Sequence, residues 1–102
     1  MAASKVEQRT YGVSAVQLFG ICVTALGRMG ARIERQDVER GTIVATVGDR
    51  LLAPVSELDL TLVAREHGQT QLVATWQARK LGGDRRILAA FLESVGSLVA
   101  RA

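Results

Sequence analysis

Residues 30–47 have the pattern of a β-hairpin, and this pattern limits the fold more than any other part of the chain. Asp37 can accept hydrogen bonds from backbone N–H groups in a turn, and Gly41 can adopt a positive φ at no steric cost. Every second residue after the turn is apolar and shares one face of a strand: Ile43, Ala45 and Val47. Arg35 breaks this alternation before the turn, so we expect the first strand to leave the core there.

Three further segments alternate as strands do. Residues 5–12 alternate loosely and predict a short N-terminal strand. Residues 58–65 and 70–79 alternate more clearly and are joined by a turn at 66–69. The single tryptophan, Trp76, shares parity with Leu72 and Ala74, so we expect its side chain in the core and its indole N–H near the rim.

Two amphipathic helices flank the hairpin and the later strands. Ser14 is the predicted N-cap of the first helix, and Gly30 is placed to end it. Asp84 is the predicted N-cap of the second. Apolar residues recur at three- and four-residue steps in both. In the first helix we expect Val16, Ile21 and Ala25 to widen the buried face.

The predicted order is β-α-β-β-β-β-α, in one domain over residues 1–102. Short turns favour antiparallel pairing of neighbouring strands. Each helix has one apolar face and each strand one apolar row. We therefore predict an α+β, two-layer sandwich in which a five-stranded antiparallel sheet carries both helices on one face.

Several turn and core residues are similar to those of small bacterial α+β domains with the helix-grip or TATA-binding-protein-like arrangement. The matching positions are Leu26, Gly30, Ile33, Asp37, Gly41-Thr42-Ile43, Ala45, Gly68-Gln69-Thr70 and Leu72-Val73. The similarity covers roughly residues 6–100. Related domains include those of an accessory lipoprotein of outer-membrane protein assembly. The resemblance implies a fold, because its marks are structural residues.

Composition argues against several functional classes. Hydrophobic residues make up 48% of the 102 residues and aromatic residues 4%, so an aliphatic core is expected. The chain has one cysteine, Cys22, and one histidine, His67, without the spacing of a metal or catalytic site. We therefore predict a non-enzymatic interaction or binding module with no cofactor and no metal. The polar N-terminus and the lack of a long apolar stretch predict a cytoplasmic protein without a membrane span.

The first candidate site is the outer face of the sheet, where Val44, Val63 and Val73 are more apolar than a solvated face requires. This face predicts a docking surface for a protein partner. It also allows a homodimer, formed through these valines or through an open sheet edge that a short N-terminal strand leaves unpaired.

The second candidate is a basic connection before the last helix. It predicts the binding of phosphate anions or nucleic acid, because free backbone N–H groups and positive charge meet at a helix N-terminus. Its residues are Lys80, Gly82, Gly83, Arg85 and Arg86, with Arg79 and Arg65 on the adjoining sheet.

The third candidate is the space between the sheet and the helices, where helix-grip domains hold small apolar ligands. In this chain we expect aliphatic side chains to fill that space.

Overall fold

A computed structural model describes residues 4–48, 55–78 and 86–102. The strands and helices follow the predicted order. They are β1 (Ser4–Tyr11), α1 (Ala15–Arg28), β2 (Arg32–Asp37), β3 (Thr42–Val47), β4 (Ser56–Ala64), β5 (Thr70–Ala78) and α2 (Arg86–Arg101). The turn between β4 and β5 contains a short 3₁₀ segment, Glu66–Gly68.

All five strands form one antiparallel sheet with the order β1-β5-β4-β3-β2. The first and last strands of the chain are therefore neighbours. Eight consecutive pairs join β1 to β5, from Ser4 opposite Gln77 to Tyr11 opposite Thr70. The expectation that a short N-terminal strand leaves a neighbouring edge unpaired is wrong, because β1 covers β5 almost from end to end. The sheet ends instead at β1 itself and at β2.

Both helices pack on one face of the sheet, as predicted, and the core lies between the two layers. Trp76 is 1% exposed and Cys22 is fully buried. Val16 departs from the prediction, since it is 73% exposed. At about 100° per residue it lies on the far side of α1 from Leu18.

Local signals in the sequence form the predicted turns and caps. Ser14 Oγ accepts a hydrogen bond from Gln17 N at 3.1 Å and begins α1. Gly30, with φ of +71°, follows the last turn of that helix. Asp37 Oδ1 accepts from Arg40 N at 3.1 Å in the β2–β3 turn. The parity break at Arg35 is a β-bulge between Ile33 and Arg35. The strand therefore continues to Asp37 with exposed side chains.

Candidate functional site

The inner face of β1 is charged where the inner faces of its neighbours are apolar. Residues directly opposite each other in an antiparallel pair share a face. Lys5 lies opposite Trp76, Glu7 opposite Ala74 and Arg9 opposite Leu72, and all three β5 residues belong to the core. The three charged side chains therefore lie on the same side of the sheet as the helices.

A cleft of about 320 Å³ separates this charged row from α2. The charged row forms its floor, and α2 forms its wall with Leu88, Ala89, Leu92 and Glu93. Leu88 and Leu92 are largely buried at the base of the wall, while Ala89 and Glu93 are exposed. The volume lies at the lower end of the range of about 300–1,000 Å³ that small-molecule sites occupy.

The floor has a connected arrangement of charges. Glu7 Oε1 lies 3.5 Å from Lys5 Nζ, and Glu7 Oε2 lies 3.1 Å from Arg9 Nη1. Arg9 Nη1 also donates to the carbonyl oxygen of Gln8 at 2.8 Å. The hydrogen bond from Arg9, helped by the positive charges of Arg9 and Lys5, lowers the pKa of Glu7 against the opposing effect of desolvation. Glu7 is therefore an anion between two cations, and both cations have further donor hydrogens.

This charged row also has a structural consequence. Charged side chains that point inward on an edge strand discourage pairing with unrelated chains. Their aliphatic stems can cover neighbouring apolar surface. Both effects are compatible with a binding role for the cleft.

Trp76 lies one strand away from the cleft, beside Lys5. Its indole Nε1 is buried and has no hydrogen-bond partner in the described part of the chain, and the same holds for the hydroxyl of Ser56. The indole N–H, expected near the rim, is therefore buried in the structure. Because register places Ser56 beside Ala78, both polar groups lie toward the same end of the sheet.

The three valines of the predicted docking surface lie on the helix-free face of the sheet, on the neighbouring strands β3, β4 and β5. Val63 is 37% exposed and lies diagonal to Val73, since its direct partner is Gln71. Val44 lies opposite Asp59, farther from the other two. Val6 on β1 has the same orientation and is 56% exposed. Val6 could not be predicted as part of this surface, because neither parity of that strand is clearly apolar.

Most of the predicted basic site falls outside the described residues: Arg79, Lys80, Gly82, Gly83 and Arg85, together with the predicted cap Asp84. Arg86 is the exposed first residue of α2. Arg65 follows β4 and its guanidinium donates to Gln71 Oε1 at 3.2 and 2.6 Å. A basic surface that joins these residues stays a prediction.

Buried side chains, including Trp76 and Phe91, pack between the sheet and the helices. Within residues 4–48, 55–78 and 86–102, no group of three or more His, Cys, Asp or Glu residues is placed to hold a metal ion. In the same ranges, no helix combines the length and apolar character that crossing a membrane requires.

No protein-family model matches the chain, and no curated protein matches it. Solved structures do match. Ara h 8.0201 is 11% identical, with a TM-score of 0.71 and full coverage of both chains. The ZhuI aromatase/cyclase from Streptomyces sp. R1128 is 14% identical, with a TM-score of 0.58 over 98% of this chain and 87% of that one.

A putative uncharacterized protein from Rhizobium leguminosarum is 12% identical, with a TM-score of 0.62 over 100% of this chain and 97% of the other. At such low identities the matches establish the fold alone. They confirm the helix-grip resemblance, and the chain has the helix-grip fold.

Proposed function

We propose that this chain is a non-enzymatic binding module for a small amphiphilic molecule with an anionic group, held in the cleft between β1 and α2. The observation that carries the proposal is a cleft of about 320 Å³ in which the charged floor faces Leu88, Ala89 and Leu92 of α2, with Glu93 on the same wall. A ligand that is apolar on one side and anionic on the other matches both surfaces.

The floor favours an anion because its two cations keep unused donors. An ammonium group has three N–H donors and a guanidinium has five, and Glu7 engages a minority of them. Hydrogen bonds between charged partners are roughly twice as strong as neutral ones. Glu7 holds Lys5 and Arg9 in position and keeps the floor from attracting anions without selectivity.

The fold supports a ligand at this place. Helix-grip domains typically bind small hydrophobic ligands. In this chain core side chains pack beneath both helices, so we place the ligand at the margin of that space, in the cleft between β1 and α2.

Titration with anilinonaphthalene sulfonate tests the proposal, because this probe joins an apolar ring system to an anion. Trp76, the single tryptophan, lies beside the floor and can transfer excitation energy to a bound probe. We expect saturable binding that Ala89→Phe weakens at least tenfold, about 1.4 kcal/mol, by filling the cleft. Ala90→Phe is the matched control, since Ala90 is exposed on the same helix and does not line the cleft.

The anion requirement has its own comparison. Arg9→Glu should weaken the sulfonate probe and leave the neutral probe N-phenyl-1-naphthylamine nearly unchanged. Equal binding to the Ala89→Phe and Ala90→Phe variants would place the probe elsewhere and contradict the proposed site. If Arg9→Glu weakens the binding of both probes equally, the site does not select an anionic group.

A further inference from the structure

The outer edge of β1 is regular and has no strand beside it within the described residues. Its pairing with β5 runs through all eight residues without a bulge. The other edge strand, β2, is interrupted by a bulge, and bulges disfavour edge-to-edge pairing. The sheet therefore has one protected edge and one edge whose backbone N–H and C=O groups can accept another strand.

The charges of β1 select what can pair there. An antiparallel pairing of two copies, centred on Gln8, places Glu7 of each copy opposite Arg9 of the other. It also places Val6 opposite Thr10 and Lys5 opposite Tyr11. Opposite charges on facing residues stabilise an antiparallel pair. Centring the pair on Glu7 instead would oppose Glu7 to itself and Lys5 to Arg9, and centring it on Val6 would shorten the pairing to residues 4–8.

We propose that the partner for this edge is a second copy of the same chain, paired antiparallel through β1 about a two-fold axis at Gln8. The proposal goes beyond ligand binding and stands without it. Identical chains supply both halves of the charge pattern, as an isologous interface requires. A strand without this alternation would meet like charges or leave the charged row unmatched.

The dimer has a consequence for the cleft, and this step rests on the proposed function. In a joined sheet, three strand spacings of about 4.8 Å separate the two β5 strands. The charged rows of the two copies then form one floor about 14 Å across between these strands. In the monomer the cleft is open at the β1 edge. In the dimer the second copy bounds it there.

Light scattering from about 10 µM to about 1 mM is the first test, because a short edge pairing belongs to the small, weak class of interfaces. We expect the mass to rise from monomer to dimer. The register is tested by disulfide trapping: Gln8→Cys should form a covalent dimer under mild oxidation. Val6→Cys should not, since its two copies would lie about 14 Å apart in this register, beyond disulfide reach. Wild type, with its buried Cys22, is the background control.

Charge-reversal variants distinguish Glu7–Arg9 ion pairs between two chains from the Glu7–Arg9 ion pair within one chain. Glu7→Arg and Arg9→Glu should each remain monomeric, because each places like charges opposite one another. An equimolar mixture of the two variants should form a heterodimer, since every Arg of one copy then faces a Glu of the other. Each chain in the mixture still carries two like charges at positions 7 and 9. Dimer formation in the mixture can therefore come only from charge pairs between the two chains. Val63→Lys, on the outer face of β4, should leave the dimer intact.

A monomer at about 1 mM, or trapping of Val6→Cys as readily as Gln8→Cys, would overturn the proposed dimer. Dissociation by Val63→Lys without rescue in the mixture would move the contact to the outer valines. The ligand proposal is tested independently of the dimer. A monomer can still bind the probe, and Ala89→Phe should still weaken that binding.

Discussion

The backbone tightly constrains the residue at position 41, which is a glycine. Its φ is +68°, and a Cβ at this position would lie 2.6 Å from the carbonyl oxygen of Leu62. Gly41 O in turn accepts a hydrogen bond from Leu62 N at 2.7 Å, which fixes the β2–β3 turn against β4. Neither the conformation nor the close approach admits a side chain.

We therefore expect Gly41→Ala to lower the free energy of unfolding by about 2–3 kcal/mol, from the left-handed conformation and the contact with β4 together. Gly30→Ala is the matched control. Its φ is +71°, but a Cβ there meets no atom within 4 Å, so a loss of about 1 kcal/mol is expected. Urea unfolding measures both. Equal losses would show that the contact with Leu62 contributes nothing.

We expect the Cys22 thiol to be unreactive toward thiol reagents in the folded protein. Burial in the core raises the pKa of its thiol to about 12, so the reactive thiolate is almost missing at neutral pH. A thiol reagent at pH 8 should modify Cys22 at the rate of global unfolding and rapidly in urea. Because the folded pKa is raised, the stability of the fold is independent of this group below the unfolded pKa of about 8.5 and declines as the pH rises from there toward the folded value of about 12. Fast modification without denaturant would contradict the buried position.

At the scale of single elements, α1 depends on the cap at its first turn. Ser14 Oγ satisfies one of the backbone N–H groups that the helix leaves without an internal partner. Ser14→Ala should lower the free energy of unfolding by about 1 kcal/mol. Ser97→Ala, at an exposed position inside α2, should have no such cost, since alanine is the better helix former. Thermal unfolding of both variants tests this. Equal melting temperatures would show that the cap does not stabilise the protein.

The sequence predicted elements well where one periodic signal dominated. The strict alternation around Leu72 and Trp76 identified both the strand and its buried face, and Ser14 and Gly30 marked the ends of α1. The bulge in β2 was visible as a parity break at Arg35, but the alternation could not say that the strand resumes. For β1, both parities are polar. Only its register with β5, a contact between distant parts of the chain, decides which row faces the helices.

At the scale of the whole molecule, the candidate site could not be predicted because no local motif encodes it. The cleft exists because β1 joins the sheet beside β5, while α2 leaves the outermost strand uncovered. Lys5, Glu7 and Arg9 are ordinary surface residues in the sequence and become a floor only through this arrangement. The outer valines, by contrast, could be placed on one face of the sheet, because that placement needs only the strand parity that the sequence shows.

Local stability should follow the strand order of the sheet. β4 and β5 pair with each other over nine residues and each has a second neighbouring strand, whereas β2 has six residues, a bulge and one neighbour. We expect amide hydrogen exchange to be slowest in β4 and β5. In β2 it should be at least about tenfold faster, through local opening that leaves the rest of the sheet folded. Equal protection of β2 and β4 would contradict this order.

The two edges should differ in their response to protein concentration. In an antiparallel edge strand, every second N–H points away from the sheet and exchanges quickly. If two copies pair through β1, its outward N–H groups become bonded, so their exchange should slow as the protein concentration rises toward about 1 mM. The outward N–H groups of β2 serve as the internal control and should not change. Slowing at β2 alone, or at neither edge, would remove β1 as the contact between copies.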